Sequence, residues 1–469
     1  MKKILLIVLA LLLAVAVFMP KYVGMQFASG LQSSAEEITA KTAYTVSVDE
    51  IDSGWGSTTA FLSVGLKVPE LSDNPANPLD LSTKIKLEAS HGPILSGGSS
   101  LFGQIHVLAT SIESELPAGL QLADKNAPIL TFNSTTGLFG GTDFTAEILG
   151  LSYNDLDSDV RIDFSGIQAN GSGSSNSYTF SATSDSVTAS SGDLVLAAVN
   201  TIEMSGTGDV GVMQMMQQGL YNSESNISFA NIALTNMFDG SQTNVNNAAM
   251  LIETTLDPAT DMGSFIINTK VDSFAAPDMQ MSDLVMDMAM NNIQAKFMRA
   301  YQTFTANSMD YVSDPAAMES AMNTFLDDHL LEQLQQNPEY NISNFSGVVN
   351  GGTFNGKILT KLTDVKAMPL TLEDPAFWMQ HGNVDSQMTM QKAAADFFAM
   401  QFIATQVAGN PQFLSMSETE QQQMLMQQAQ ATLDALVEQG MLTTEGEDYS
   451  VSFTMQNANA ELNGNPIPL

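Results

Sequence analysis

A chain of 469 residues with 44% hydrophobic residues can bury one large core or two moderate ones, and with no Cys it must hold together without disulfides. Its 16 Lys and Arg against 51 Asp and Glu leave a net charge of −35, a field that repels phosphate backbones and excludes nucleic acid as an expected partner. The acids are spread along the chain rather than gathered in runs, so they read as a solvated surface.

The first element is apolar. Lys2 and Lys3 precede an uninterrupted hydrophobic stretch, Ile4 to Met19, which Pro20 and Lys21 follow. As a helix this stretch is roughly 24 Å long at about 1.5 Å per residue, a little short of a hydrocarbon core of about 30 Å. Snorkelling Lys2 and Lys3, with Tyr22, Val23 and Met25 beyond, would complete the span with the N-terminus inside. A cleaved signal is the competing reading, because Ala14-Val15-Ala16 has a small-x-small pattern. Val17, Phe18 and Met19 continue the apolar helix past that site and favour retention as an anchor. The rest of the chain would then lie outside the membrane, and the absence of Cys excludes lipoprotein acylation.

From Tyr44 to about Ala276 the hydrophobic period is two. Leu81, Thr83, Ile85, Leu87 and Ala89 alternate with polar neighbours, as do Val160, Ile162 and Phe164, and again Phe265, Ile267, Thr269 and Val271. These are expected antiparallel strands, with Gly171 to Ser177 as a hairpin loop between two of them.

Near Asp278 the period is read as changing to 3.6, with Met286, Met290, Ile293, Phe297, Tyr301 and Phe304 on one helical face. Asp314 caps a second expected helix with Pro315 in its first turn, and Met318, Met322 and Phe325 carry its apolar stripe. Strands return after Pro338, including Phe354, Ile358, Thr360 and Leu362. A third helix spans about Lys392 to Val407, before Gly409-Asn410-Pro411. A fourth is signalled by the Ser417/Glu420 capping box and ended by Gly440, and Tyr449, Val451, Phe453 and Met455 form a late strand. The expected class is α+β: an N-terminal transmembrane helix (1–25), a long antiparallel β region (26–276), and a mixed region with about four helices and further strands (277–469).

Three short stretches carry a resemblance. Ser53-Gly54-Trp55-Gly56-Ser57, His91-Gly92-Pro93 and the ending Leu462-Asn463-Gly464-Asn465-Pro466-Ile467-Pro468-Leu469 resemble, in order and spacing, the YdgA-like family of bacterial envelope proteins. Pro338-Glu-Tyr-Asn-Ile-Ser343 and the N-terminal helix extend the resemblance over nearly the whole chain, although Gly56 stands where the family tends to carry an aromatic. The resemblance implies a single-pass protein of the bacterial inner membrane with a periplasmic body and no established biochemical activity.

Other motifs carry less. Gly206-Thr-Gly208-Asp-Val-Gly211 matches a dinucleotide fingerprint but lies among antiparallel strand patterns, which favours a glycine turn. Asp155, Asp157 and Asp159 have calcium-loop spacing, but Val160 and Gly166 occupy the positions that need Gly and Glu. The four histidines, His91, His106, His329 and His381, fall in no zinc motif, and no G-x-S-x-G elbow exists. His91 reads as a turn residue bonding nearby backbone, and Trp55 as a core plug between glycines.

The expectation is therefore a non-catalytic interaction or scaffold protein of the envelope, with no cofactor and no metal. The alternative is a binder of lipid or another apolar ligand through a Met-rich helical groove, since many of the 29 Met gather between Met279 and Met322. A membrane, a lipid or protein partner and self-association are the partners left open.

Overall fold

The computed structural model describes residues 2–41, 44–66, 83–92, 103–111, 119–137, 141–154, 159–211, 219–277, 279–308, 314–369, 371–407 and 409–467, with the side chains of 2–19, 37, 41, 44, 66, 111, 306, 411, 414 and 418 outside the description. Leu81, Pro93, Asp155, Asp157, Asp278, Pro468 and Leu469 lie outside the described residues. The chain divides into two compact units: 1–225 with 298–328, and 226–297 with 329–469. This division differs from the boundaries expected at 25 and 276.

The first unit opens with helix α1 (Lys2–Lys41), which runs through Pro20. An antiparallel meander follows: β1 (Tyr44–Ser53), β2 (Ser57–Leu66), β3 (Thr83–Gly92), β4 (Gly103–Ser111), β5 (Leu120–Leu122), β6 (Leu130–Thr136), β7 (Thr142–Asn154), β8 (Val160–Gly173), β9 (Tyr178–Ser191) and β10 (Leu194–Gly208). Each strand pairs with the next, except that β4 pairs with β6 and β5 lies against β7. Side chains alternate across a strand, so Leu87, Ala89 and His91 of β3 turn inward while Glu88 and Ser90 face out. Helix α1 covers this inner face: Phe27 and Leu31 pack on Ala60, Leu62, Leu87, Ala89 and Val107, all buried. Each large side chain so enclosed contributes about 1.5–3 kcal/mol of transfer free energy. The β8–β9 hairpin turn is shorter than expected: Gly171 to Gly173 still pair within β8, and Ser174 to Ser177 make the turn, closed by the Ser174 amide donating to the Ser177 carbonyl at 2.7 Å.

The second unit contains most of β11 (Ser223–Thr235), then β12 (Gln242–Asp257), β13 (Met262–Ala276), β14 (Met279–Gln294), β15 (Glu339–Val349), β16 (Gly352–Leu362), β17 (Gly382–Gln391), β18 (Thr443–Glu445), β19 (Asp448–Gln456), β20 (Asn459–Leu462) and β21 (Asn465–Ile467). From β12 to β17 neighbours in sequence are antiparallel neighbours in the sheet, β17 then pairs with β19, and β20 and β21 extend from it. Besides α1, the described helices are α2 (Ala295–Ser308), α3 (Pro315–Leu334), α4 (Pro375–His381), α5 (Lys392–Val407), α6 (Pro411–Leu414) and α7 (Glu418–Glu438). Two of these, α4 and α6, are short additions to the four expected.

The helix caps follow the sequence signals. Asp314 accepts from the Ala316 and Ala317 amides at 3.1 and 3.0 Å. At α7 the Glu420 amide donates to Ser417 Oγ while the Ser417 amide donates to Glu420 Oε2 at 2.9 Å. The Ser417 hydroxyl and then that amide bond hold the Glu420 carboxyl below the usual glutamate range.

One expectation is corrected. Residues 279–294 are strand β14, and helix begins only at Ala295. The methionines here fit two periods at once: Met286, Met288 and Met290 alternate with Asp287, Ala289 and Asn291. The free edge of β13 decides between them, because it offers pairing along the whole segment, from Met262↔Gln294 to Ala276↔Met279.

Candidate functional site

The first-unit site is built where two of the sequence motifs meet α1. Ser53 to Ser57 is the tight turn between β1 and β2, closed by the Gly54 amide donating to the Ser57 carbonyl at 2.8 Å. His91 sits near the end of β3, and its amide donates to the Gly56 carbonyl at 3.0 Å. The imidazole and Thr58 are each only 1% exposed.

The ring joins three elements. Its Nδ1 lies 3.0 Å from the Pro20 carbonyl oxygen of α1 and its Nε2 lies 3.0 Å from Thr58 Oγ1 of β2. A carbonyl only accepts, so Nδ1 carries the hydrogen and Nε2 accepts from the Thr58 hydroxyl. Thr58 in turn accepts from Ser53 Oγ at 3.0 Å. Gly24 completes the fit: a Cβ there would lie 2.2 Å from the ring, so only glycine lets the helix lie on the imidazole.

Chemically this is a buried clasp. The Thr58 hydroxyl on Nε2 is a hydroxyl–imidazole contact, but both residues are buried and a carbonyl rather than a carboxylate takes the Nδ1 hydrogen, so the group differs from a hydrolytic triad in access and in its orienting partner. His91 does bond backbone as expected, but from inside a strand and to a helix 71 residues away. Trp55 departs from expectation: it is 56% exposed rather than a core plug.

The second-unit site is one face of its sheet. Cross-strand partners share a face, and the register aligns Ile252, Ile267, Met288, Ile342 and Ile358 in one row. Phe265, Met290 and Tyr340 flank it on one side, and Met250, Met286 and Phe345 on the other. The rows of the opposite face are mixed: Glu253, Asn268, Asp287, Asn341, Asn344 and Asp385 stand among Leu251, Ile266, Ala289 and Leu359.

Helices cover only part of the apolar face. Phe397 and Ala394 of α5 bury Val349 and Phe354, and Leu433 of α7 packs with Tyr449 and Ala395. Among the described residues, none of β11, β12 or β13 is buried, and Met290, Tyr340, Phe345 and Ile358 are exposed.

The six groove candidates therefore do not share a helix. Met286 and Met290 stand on the apolar sheet face, Ile293 is buried at the end of β14, and Phe297 lies in the first turn of α2. Tyr301 and Phe304 belong to the first unit, where Phe304 stacks on Phe325 of α3 at a centroid distance of 5.2 Å and Tyr301 meets it tilted at 6.0 Å.

The remaining motifs resolve as structure. Asn463 and Gly464 form the β20–β21 turn, both at positive φ. Asn463 Oδ1 accepts from the Ser452 amide at 2.8 Å, and its Nδ2 donates to the Gly440 and Met441 carbonyls at 2.9 and 3.1 Å, tying the final hairpin to the end of α7. Gly206 and Gly208 lie in strand β10 opposite Phe180 and Tyr178, where a Cβ would come within 2.5 and 2.4 Å of those rings. They are platforms for aromatic rings, not a phosphate cradle.

Among the described residues no cluster of His, Asp and Glu could hold a metal ion. His381 Nδ1 donates to the Thr363 carbonyl at 3.0 Å, beside an open polar depression of about 480 Å³ that also includes Asp364, Lys366 and Asn457. Among the described residues no helix is long and apolar enough to cross a membrane, and the side chains of the Ile4 to Met19 run are outside them.

No curated protein and no solved structure matches the chain. A bacterial family of unknown function, DUF945, matches residues 1–469, and the resemblance to YdgA-like proteins is compatible with it. The chain belongs to the DUF945 family of bacterial proteins.

Proposed function

We propose that the protein is a membrane-tethered, non-catalytic binding protein of the bacterial envelope, whose second unit holds acyl chains on the apolar face of β12 to β16. The observation that carries this reading is that β12 and β13 place Ile252, Phe265 and Ile267 on one face while no residue of either strand is buried. Sheets normally bury such a face under a second layer. The Ile252–Ile358 row has side chains but no hydrogen-bonding group or charge to offer, so an acyl chain suits it better than a peptide strand or a polar ligand. Methionine adds adaptability to chains of different shape.

Tethering is supported by the Ile4 to Met19 run, by Lys2 and Lys3 before it, and by the clasp that fixes the following turn of α1 to the body. The inner membrane with a periplasmic body is the location these features favour. Native mass spectrometry of full-length protein in mild detergent tests the binding reading. Copurified lipid is expected, and Met288→Lys should remove it while leaving the fold intact. Lipid-free protein, or lipid retained in a folded Met288→Lys variant, would contradict it. Carbonate washing tests the tether, with retention in the pellet expected.

A second reading, a scaffold for protein partners, rests on one turn. Between β11 and β12, Phe238 is 99% exposed beside exposed Met237 and Leu234. The turn is fixed by the Phe238 amide donating to Asn236 Oδ1 and the Ser241 amide to Asp239 Oδ1, at 2.9 and 2.8 Å. An ordered turn that presents Phe and Met to solvent suits insertion into a partner's pocket. Loss of a copurified protein from Phe238→Ser would support this reading.

A further inference from the structure

We infer that Trp55 is a membrane-interface anchor that seats the first unit on the headgroup layer of the bilayer entered by α1. The inference rests on the tether reading of residues 4–19. Its starting point is height along α1. The His91 ring bonds the Pro20 carbonyl and abuts Gly24, while the His91 amide bonds Gly56, the residue after Trp55. Trp55 is therefore one residue and two hydrogen bonds from Pro20, where the apolar run ends.

Three large, exposed apolar side chains lie at that level: Trp55 at 56%, Tyr22 at 53% and Met25 at 52%. They do not form one patch. At about 100° per residue, Pro20 and Gly24 point towards His91, whereas Tyr22 and Met25 point to the far side of the helix. Trp55 stands on the body side. A protein partner would select side chains on one side of α1, whereas a lipid interface is a plane that meets the helix at every azimuth. Trp and Tyr, with an apolar ring and one polar group, are the residues that partition to that plane. Exposed Lys21, also at this level, suits lipid phosphates.

The clasp gives this arrangement its purpose. A helix joined to its body by a loose linker would let the body tumble, but the Pro20–His91–Thr58 bonds fix where α1 leaves the sheet, and so fix Trp55 at a set depth.

The test places full-length protein in vesicles of phosphatidylcholine and phosphatidylglycerol, with and without bromine on the acyl chains near the headgroup. The difference between wild type and Trp55→Phe isolates Trp55 emission from that of Trp378. At least twofold quenching by the brominated lipid is expected, with a blue shift and protection from aqueous iodide. If the protein floats with the vesicles but Trp55 is quenched by iodide and not by bromolipid, the interface inference fails and the tether stands. If the protein does not float, both fall.

Discussion

The β3 strand of the first unit and the β13 strand of the second have the same alternation and opposite fates. Leu87 and Ala89 of β3 are buried beneath Phe27 and Leu31 of α1, whereas Ile267 and Phe265 of β13 share an apolar face on which nothing in β12 or β13 is buried. Period two fixes which side chains share a face; it does not fix whether a second layer covers them. Where the chain supplies a helix, the face becomes core. Where it does not, no residue of the face in β12 or β13 is buried, and the proposed acyl-chain binding would use that exposure.

The largest expected effect tests this difference directly. Leu87→Ala should cost about 2–5 kcal/mol, as for a large side chain removed from a closed core, while Ile267→Ala should cost about 1 kcal/mol or less because its site can fill with solvent or lipid. Amide hydrogen exchange resolved to each unit separates the two. Equal costs would mean that β13 lies in a closed core and would break the comparison.

The next effect sharpens the role of α1. Gly24→Ala drives a Cβ into the His91 ring and should cost about 1–3 kcal/mol, with α1 becoming sensitive to protease near Pro20. Adding His91→Ala should recover part of that loss, since it removes the ring that the methyl strikes, and a double-mutant cycle measures the coupling. Purely additive costs would deny the contact.

Thr58→Val keeps the shape but removes the donor to His91 Nε2, leaving a buried acceptor unpaired. A loss of about 1–2 kcal/mol is expected, confined to β1 to β4 and α1 and absent from the second unit. Smallest is the α7 cap: Ser417→Ala should cost roughly 1 kcal/mol, read as faster exchange in the first turn of that helix. Its pH dependence has a fixed sign. The Glu420 carboxyl is lowered in the folded state, so its contribution is present above the ordinary glutamate value near 4.5 and is lost as pH falls below it towards the folded value. Glu420→Gln should flatten that loss.

Much of the fold was legible because it is locally encoded. The Asp314 and Ser417 caps, the 392–407 helix and the alternating strands each depend on residues a few positions apart. The methionine segment was misread because Met286 and Met290 satisfy a period of four as well as two, and the pairing edge that settles the matter lies in β13. The clasp was hidden for a related reason: nothing near His91 announces a carbonyl at Pro20 or a glycine at position 24 shaped to its ring. The exposure of Trp55 is not legible in the sequence, because flanking glycines suit a close-packed turn whether its ring points inward or outward. The apolar face is half visible in the sequence, since the density of methionines marks it while their spacing points to a helix.

The most direct test of acyl-chain binding is photocrosslinking from two adjacent residues of β13 whose side chains leave opposite faces of the sheet. Benzoylphenylalanine at Ile267 or at Asn268, in full-length protein irradiated in the membrane, reports what touches each face. The expected result is lipid adducts from position 267 and none from position 268. Lipid adducts at neither position, or equally at both, would contradict a lipid-binding face.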